Sequence, residues 1–419
     1  MNVLFLSLVD FESIAERTIY TDLLREFVRR KHHVYVVSPS ERRKGNETCL
    51  IYDDTFMEER EGFCQILKVR IGNTQKTNLL EKGISTLRME GQCRQAIEKY
   101  FKNISFDLVL YATPPITFAK VVEWIKERDG AVTYLLLKDI FPQNAVDLHM
   151  FSKKGFFYWY FRHKEKKLYQ VSDYIGCMSK ANVSYLLTHN EGILDSQVEV
   201  CPNSIEFSGE MSEPAAVLTR EEKLVLREKY GLPADRILFL YGGNLGKPQD
   251  IPYIIRCLKR CQEEKRAFFI ICGTGTEYGK LLEYQKQGAE NLWLVNGLPK
   301  EEYDRLAMVC DVGLIFLDHR FTIPNFPSRL LSYMEQGLAV LSATDANTDI
   351  GDVVESGGFG YACESDSEEK FYRMVEQMVE APERLEQMGE NGRRYLLSHY
   401  TVKDSCQTIL NHMEQGKSS

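Results

Sequence analysis

Short apolar runs and stretches of helical spacing alternate along the whole chain. Val3–Val9 reads as a strand, and Ile19, Leu23, Leu24, Phe27 and Val28 then recur at the spacing of one helix face. His33–Val37 is the next strand, closed by Ser38-Pro39. The same unit recurs at Asp107–Tyr111, which is followed by a Pro114-Pro115 turn, a helix to about Arg128 and the strand Val132–Leu137. Asp173–Ser179 reads as a further strand ending at a helix cap. The pattern restarts beyond residue 205, with strands at Arg236–Tyr241, Ala267–Cys272, Leu292–Val295, Val312–Leu317 and Ala339–Ser342, and a helix over Ser328–Glu335 before the last of these. Strands alternating with helices predict α/β architecture with parallel sheets. Two consecutive doubly wound units are expected, over 1–205 and 206–395, with the boundary near Ser204–Leu232. Residues 396–419 are expected to form a C-terminal helix that packs back on the first unit, since Val402, Cys406, Ile409 and Met413 share one face.

Composition narrows the class. The chain has 419 residues, 44% apolar and 27% charged, which suits a globular protein of more than one domain. The net charge of −8 is uneven: residues 1–205 carry 28 Lys and Arg against 26 Asp and Glu, leaving 24 against 34 beyond them. An acidic balance argues against nucleic acid as a partner. Eleven scattered cysteines, an odd number without a Cys-x-x-Cys pair, argue for reduced thiols and against a disulfide scaffold or zinc site. Met1-Asn2 leads straight into Val3–Leu6 without a basic segment or cleavage site, and no apolar run approaches the roughly 20 residues of a membrane helix. A cytoplasmic location is therefore expected.

In open parallel sheets ligands bind beyond the carboxyl ends of the strands, and chemistry is sought there. Tyr241-Gly242-Gly243-Asn244-Leu245-Gly246-Lys247 places three glycines and a lysine after one strand. Glycines let backbone amides approach a phosphate, and Lys247 would neutralise it. An ordinary Gly-rich turn with a solvated lysine satisfies the same residues. Pro327-Ser328-Arg329-Leu330 opens a helix past another strand, where free amides and the dipole favour a diphosphate with Arg329 as counter-charge; Ser328 as a plain N-cap is the competing reading. Gly273-Thr274-Gly275 through Gly279 misses the dinucleotide fingerprint because its third glycine comes one residue late.

Taken in order, Gly242–Lys247, Cys272–Gly275, Asn296–Pro299, Asp311–Leu314, Pro327–Leu330 and Tyr333–Val340 resemble the family-four retaining glycosyltransferases, in the branch that builds bacterial surface polysaccharides. Cys201-Pro202-Asn203-Ser204 is similar to that family's Pro-Asn-Gly segment and Lys138–Pro142 to its Asp-Leu-Trp-Pro segment. The resemblance implies a GT-B fold, two Rossmann-like domains facing a cleft, with donor on the second domain and acceptor on the first. It implies that Lys247, Arg329 and the Ser328–Leu330 amides hold the donor diphosphate, that Gly243, Asn244 and Asn325 lie with them, and that Gly297 and Leu298 lie against the base. Asp139 would face the sugar as the catalytic residue. The donor would be a nucleotide sugar, UDP-sugar more than GDP-sugar, the acceptor a glycan or polyprenyl-linked glycan. No cofactor or metal is implied, and no Asp-x-Asp pair suits one.

Two positions depart from the family. Its Glu-x7-Glu pair falls on Pro324 and Ser332, so one hydroxyl replaces the carboxylate that binds ribose, with Glu335 a turn further on as a substitute. The first loop, Asp10 to Thr18, lacks glycine. A catalytically silent nucleotide-sugar-binding subunit is therefore the alternative function. A 2-epimerase on the same fold calls for cleft carboxylates in both domains, and a dehydrogenase for a complete fingerprint. Finally, Phe156–Phe161 runs six aromatics into Arg162, His163, Lys164, Lys166 and Lys167. Such a segment suits peripheral contact with an anionic membrane on its inner face, or else a helix burying its aromatics.

Overall fold

The computed structural model describes residues 1–10, 12–53, 63–73, 79–207, 218 and 220–415. Residues 208–217 and 219, part of the expected linker, lie outside the described residues. The chain divides into two compact units, Met1–Glu206 with Thr401–Ser419, and Phe207–Tyr400. The C-terminal boundary corrects the expectation of 395. Glu383–His399 is one helix, and Tyr400 still packs on Tyr395 and Phe326 of the second unit.

The first unit is an eight-stranded sheet in the order β3-β4-β2-β1-β5-β6-β7-β8. Its strands are β1 (Asn2–Leu6), β2 (His33–Glu41), β3 (Cys49–Asp53), β4 (Phe63–Ile71), β5 (Leu108–Ala112), β6 (Val132–Leu137), β7 (Tyr174–Cys177) and β8 (Val198–Val200). All pairs are parallel except β3 with β4 at one edge. Val3–Leu6 and Leu108–Ala112 are buried throughout, as befits strands covered on both faces. Two strand bounds differ from expectation. β1 stops at Leu6, because Ser7 turns the chain and its hydroxyl accepts from the Val9 amide at 3.0 Å. β2 then runs on through Pro39: beyond Val37 it has lost its β1 neighbour, so a proline without an N–H is tolerated there.

The second unit is a six-stranded parallel sheet, order β11-β10-β9-β12-β13-β14. Its strands are β9 (Ile237–Asn244), β10 (Ala267–Thr274), β11 (Leu292–Val295), β12 (Val312–Phe316), β13 (Ala339–Thr344) and β14 (Gly360–Glu364). Helices between them bury one apolar stripe each. Ile251–Arg260, for example, buries Ile251, Tyr253, Ile254, Cys257 and Leu258, and Asp250 caps it by accepting from the Tyr253 amide. All eleven cysteines are free thiols. No described helix is long and apolar enough to cross a membrane.

The helix Val402–Gln415 belongs to the first unit. Cys406, Ile409 and Leu410 join a core that includes Leu24, Phe27 and Val28 of the helix Ile19–Arg29. His412 stacks on Tyr174 at 3.7 Å between ring centroids, and its Nε2 lies 2.8 Å from Glu199 Oε1, which also accepts from Tyr134. Ile409→Ala should therefore destabilise the first unit by about 2–5 kcal/mol, the range for emptying a buried aliphatic site. A urea midpoint unchanged from wild type would show the helix to be a loose appendage.

Candidate functional site

The carboxyl ends of β9 and β10 are packed too closely for side chains. A Cβ on Gly273 would collide with the Gly243 carbonyl, and one on Gly242 with the Tyr303 ring. Gly243 has φ +129°, and a Cβ there would sit 3.3 Å from Arg329 Nη2. The two loops singled out in the sequence, after β9 and before the helix Arg329–Gln336, thus meet at Gly243 and Arg329.

The Arg329 guanidinium lies over the Tyr241 ring, 4.3 Å from its centroid. Tyr241 donates to the Asn244 carbonyl at 2.7 Å, while Tyr333 donates to the Leu314 carbonyl at 3.0 Å and accepts from the Gly242 amide at 3.2 Å. Burial opposes the arginine's charge, Tyr241 and Tyr333 favour it, and the net shift is upward, so the cation persists. Among the described residues no carboxylate pairs with it, and its Nη1 is buried without a hydrogen-bond partner. Asn325, four residues earlier, likewise buries an Nδ2 without a partner. Buried donors are normally satisfied, so two orphans on one short segment mark a place for an acceptor.

The other expected residues divide. Asn244 is exposed and tied to Gln249, whose Oε1 accepts from Asn244 Nδ2 at 3.3 Å and from the Gly246 amide at 3.1 Å. Lys247 is exposed at the start of the turn Lys247–Gln249. Gly297, with φ +65°, stands beside the β10 end, its hypothetical Cβ 3.0 Å from Thr274 Cγ2, and Leu298 after it is half-buried. Ser328 makes no side-chain cap bond, so the plain N-cap reading is not what the residue does. The Leu330 amide, expected to face the phosphate, donates instead to the Pro327 carbonyl at 3.2 Å. Ser332 is half-buried one helical turn after Arg329. Glu335 is six positions on from Arg329, round the helix, where Arg393 donates to its carbonyl at 3.1 Å and interacts with its charge.

In the first unit, Asp139 follows β6, with its amide donated to Thr113 Oγ1 at 3.1 Å and its Oδ1 accepting from Asn144 Nδ2 at 2.9 Å. Burial raises its carboxyl against the bonds from Asn144 and the Ile140 amide, and Tyr20 is pushed up to about 12 by burial and by the charge of Asp139. Lys138, beside it, donates to the Cys201 carbonyl at 3.2 Å, and burial lowers it to about 8. Tyr20, Lys138, Asn203 and Ser204 line a cavity of about 10 Å³, roughly the room one water needs. Asn203 Oδ1 is buried there without a partner.

Asp250, Asp318 and His319 bring ligand atoms within 4.8 Å of one another. Arg320 already occupies both oxygens of Asp318, Nε on Oδ1 at 2.8 Å and Nη2 on Oδ2, which opposes a cation.

Residues that the sequence did not single out brace the Arg329 segment. After β13, Thr348 Oγ1 donates to the Asn325 carbonyl at 2.5 Å and Asn347 Nδ2 to the Phe321 carbonyl at 2.6 Å. Asp345 organises that loop by accepting from the Asn347 and Thr348 amides at 2.9 and 3.1 Å. Its carboxyl, 4% exposed, is raised to about 6 by burial, against those bonds. The folded chain holds this proton more tightly than the unfolded one. The stability it contributes is fully present below pH 3.8 and is lost as pH rises through about 6. Asp345→Asn should gain up to about 3 kcal/mol over wild type at neutral pH and nothing below the unfolded pKa. Urea midpoints that shift equally at both pH values would contradict this.

Residues 222–395 match the profile of the family described as "Glycosyl transferases group 1". The chain is 23% identical over 300 residues to the "Probable glycosyltransferase WbjE" of Pseudomonas aeruginosa, covering 70% of this chain and 71% of that one. It is 22% identical over 285 residues to the "Putative colanic acid biosynthesis glycosyl transferase WcaI" of Escherichia coli K12, covering 66% and 67%. The crystal structure of Anabaena Alr3699/HepE in complex with UDP superposes with a TM-score of 0.67 at 14% identity, over 99% of this chain and all of that one. The two Rossmann-like units thus have the GT-B fold, and the second contains the stretch that matches the glycosyl transferases group 1 profile.

Proposed function

We propose that the chain is a retaining glycosyltransferase of the hexosyl or N-acetylhexosaminyl class. It moves the sugar of a UDP-sugar, rather than a GDP-sugar, onto a glycan or polyprenyl-linked acceptor in the cytoplasm, in capsule, O-antigen or exopolysaccharide synthesis. The observation that carries this reading is the pair of buried donors, Arg329 Nη1 and Asn325 Nδ2, without acceptors beside the glycine-packed end of β9. The matched domain, the names of the two relatives and the UDP complex of HepE support it.

The chemistry follows from where charge grows. As the bond from the sugar to the diphosphate breaks, its electron pair stays on the diphosphate, and a fixed, desolvated cation stabilises that charge without having to reorganise. Arg329 is such a cation, and Lys247 adds a mobile one from the turn after β9. Together they supply the positive charge a divalent ion would, so no metal enters the proposal. Asp139 positions the sugar or stabilises charge on it, and the Asn144 bond fixes its carboxylate. The ribose lies near Ser332, one turn from Arg329.

Arg329→Ala should weaken UDP binding by about 1.5–3 kcal/mol, the range for hydrogen bonds to a charged group. Calorimetric titration giving wild-type affinity would remove the donor site from this position. Asp139→Asn should leave the melting temperature nearly unchanged and cut turnover of UDP-sugar on the order of a hundredfold. Preserved turnover would reduce Asp139 to a structural residue. Ser332, with one hydroxyl where two hydrogen bonds are wanted, favours a second reading, a silent nucleotide-sugar-binding subunit. That reading requires binding without release of UDP from any UDP-sugar.

A further inference from the structure

The helix Phe156–Val171 is two-sided along its whole length. Inward, Leu168 and Tyr169 are buried, Phe161 packs edge-on against Phe141 at 5.0 Å, and Arg162 pairs with Glu165. Outward, Phe156, Phe157 and Trp159 are 70%, 63% and 65% exposed, contrary to a helix that buries its aromatics. These rings form one patch: Phe156 lies 6.0 Å from Phe157, 6.3 Å from Trp159 and 6.3 Å from Tyr160, and Trp159 stacks on His163 at 6.0 Å. Exposed rings in mutual contact are uncommon on a protein that meets only water.

The exposed charge along this segment has one sign, and the half-buried Glu90 of the helix Leu79–Tyr100 is the acidic group that interacts with Lys164. Lys153 and Lys154 precede it and Lys166 and Lys167 follow it, all four exposed, while Lys164 lies over the Tyr160 ring at 5.8 Å. The helix's single carboxylate, Glu165, is buried and occupied by Arg162 and Tyr169. The outward face therefore offers aromatics at one end, lysines at both, and no acidic side chain of its own. We propose that this face docks the first unit on an anionic lipid bilayer. The aromatic rings enter the boundary between headgroups and acyl chains, where their amphipathic bodies are favoured, and the lysines sit against the anionic headgroups. Charge complementarity selects this occupant: a protein partner sealing the rings would leave four like charges at its rim, whereas a bilayer answers each of them. The surface goes beyond the transferase reading. It lies on the first unit, whereas the proposed donor residues lie on the second, so it stands or falls separately.

Co-sedimentation with vesicles tests it, using phosphatidylcholine alone and phosphatidylcholine mixed with phosphatidylglycerol, at low and high salt. The full chain should bind the mixed vesicles about tenfold more tightly than the neutral ones, with the difference lost at high salt. The aromatic variant, Phe156→Ser with Phe157→Ser and Trp159→Ser, should bind neither. The charge variant, Lys166→Glu with Lys167→Glu, should lose the preference for the anionic vesicles. Both change exposed residues and should keep the wild-type melting temperature. Equal binding to both vesicle types, or an aromatic variant that binds as the wild type does, overturns the proposal. A wild-type dimer in sedimentation velocity that the aromatic variant abolishes, without vesicle binding, assigns the face to a second copy and overturns it as well.

Discussion

The second unit's site depends on one desolvated cation. Arg329, half-buried with its Nη1 out of water, lies over the face of Tyr241, and among the described residues no carboxylate pairs with it. A buried charge without a partner is costly, and the fold tolerates this one through rigid surroundings. Gly242, Gly243 and Gly273 let the ends of β9 and β10 close up under the tyrosines. Tyr333 bonds both β9 and β12, and Thr348 ties down Asn325. What these contacts preserve is an arginine with an unused donor, Nη1, which the proposed function assigns to an anionic ligand.

Much of this frame was legible, for a reason that also explains the gaps. Parallel strands covered on both faces read as unbroken apolar runs, so β5, β6, β12 and β13 announced themselves. β4 did not, because Gln65, Lys68 and Arg70 interrupt it, although Lys68 is buried and paired with Asp10. That Gly243 and Arg329 lie together was readable because a parallel sheet gathers its strand ends along one edge. The tyrosine support was not, since aromatic residues inside apolar runs look like core. Gly313 held a signal: a glycine within a buried strand marks a close approach, here of the Tyr333 ring. The loss of the Leu330 amide to Pro327 and the pairing of Glu335 with Arg393 depend on backbone and helix–helix geometry, which no local pattern encodes.

The first unit treats polar groups differently. Asp139, Lys138, Tyr20 and Asn203 sit together near the end of β6, each shifted or left partly unsatisfied by burial. Such crowding of titratable groups at a strand end is characteristic of reactive sites, although ordinary ion-pair networks also produce it. Here the neighbouring charges are modulated by Asn144 and the Cys201 carbonyl instead of by opposite charges.

The return of Val402–Gln415 to the first unit makes the second unit, in chain order, an insertion within the first. Synthesis from the amino end therefore completes the two units in reverse order. Residues 207–400 have all left the ribosome's active centre while the apolar surface round Leu24 and Val28 still waits for Cys406 and Ile409. During that interval the nascent chain carries a complete inner unit and an unsealed outer one. A chain that stops before Cys406 therefore keeps every residue of the proposed nucleotide site but cannot close its first core.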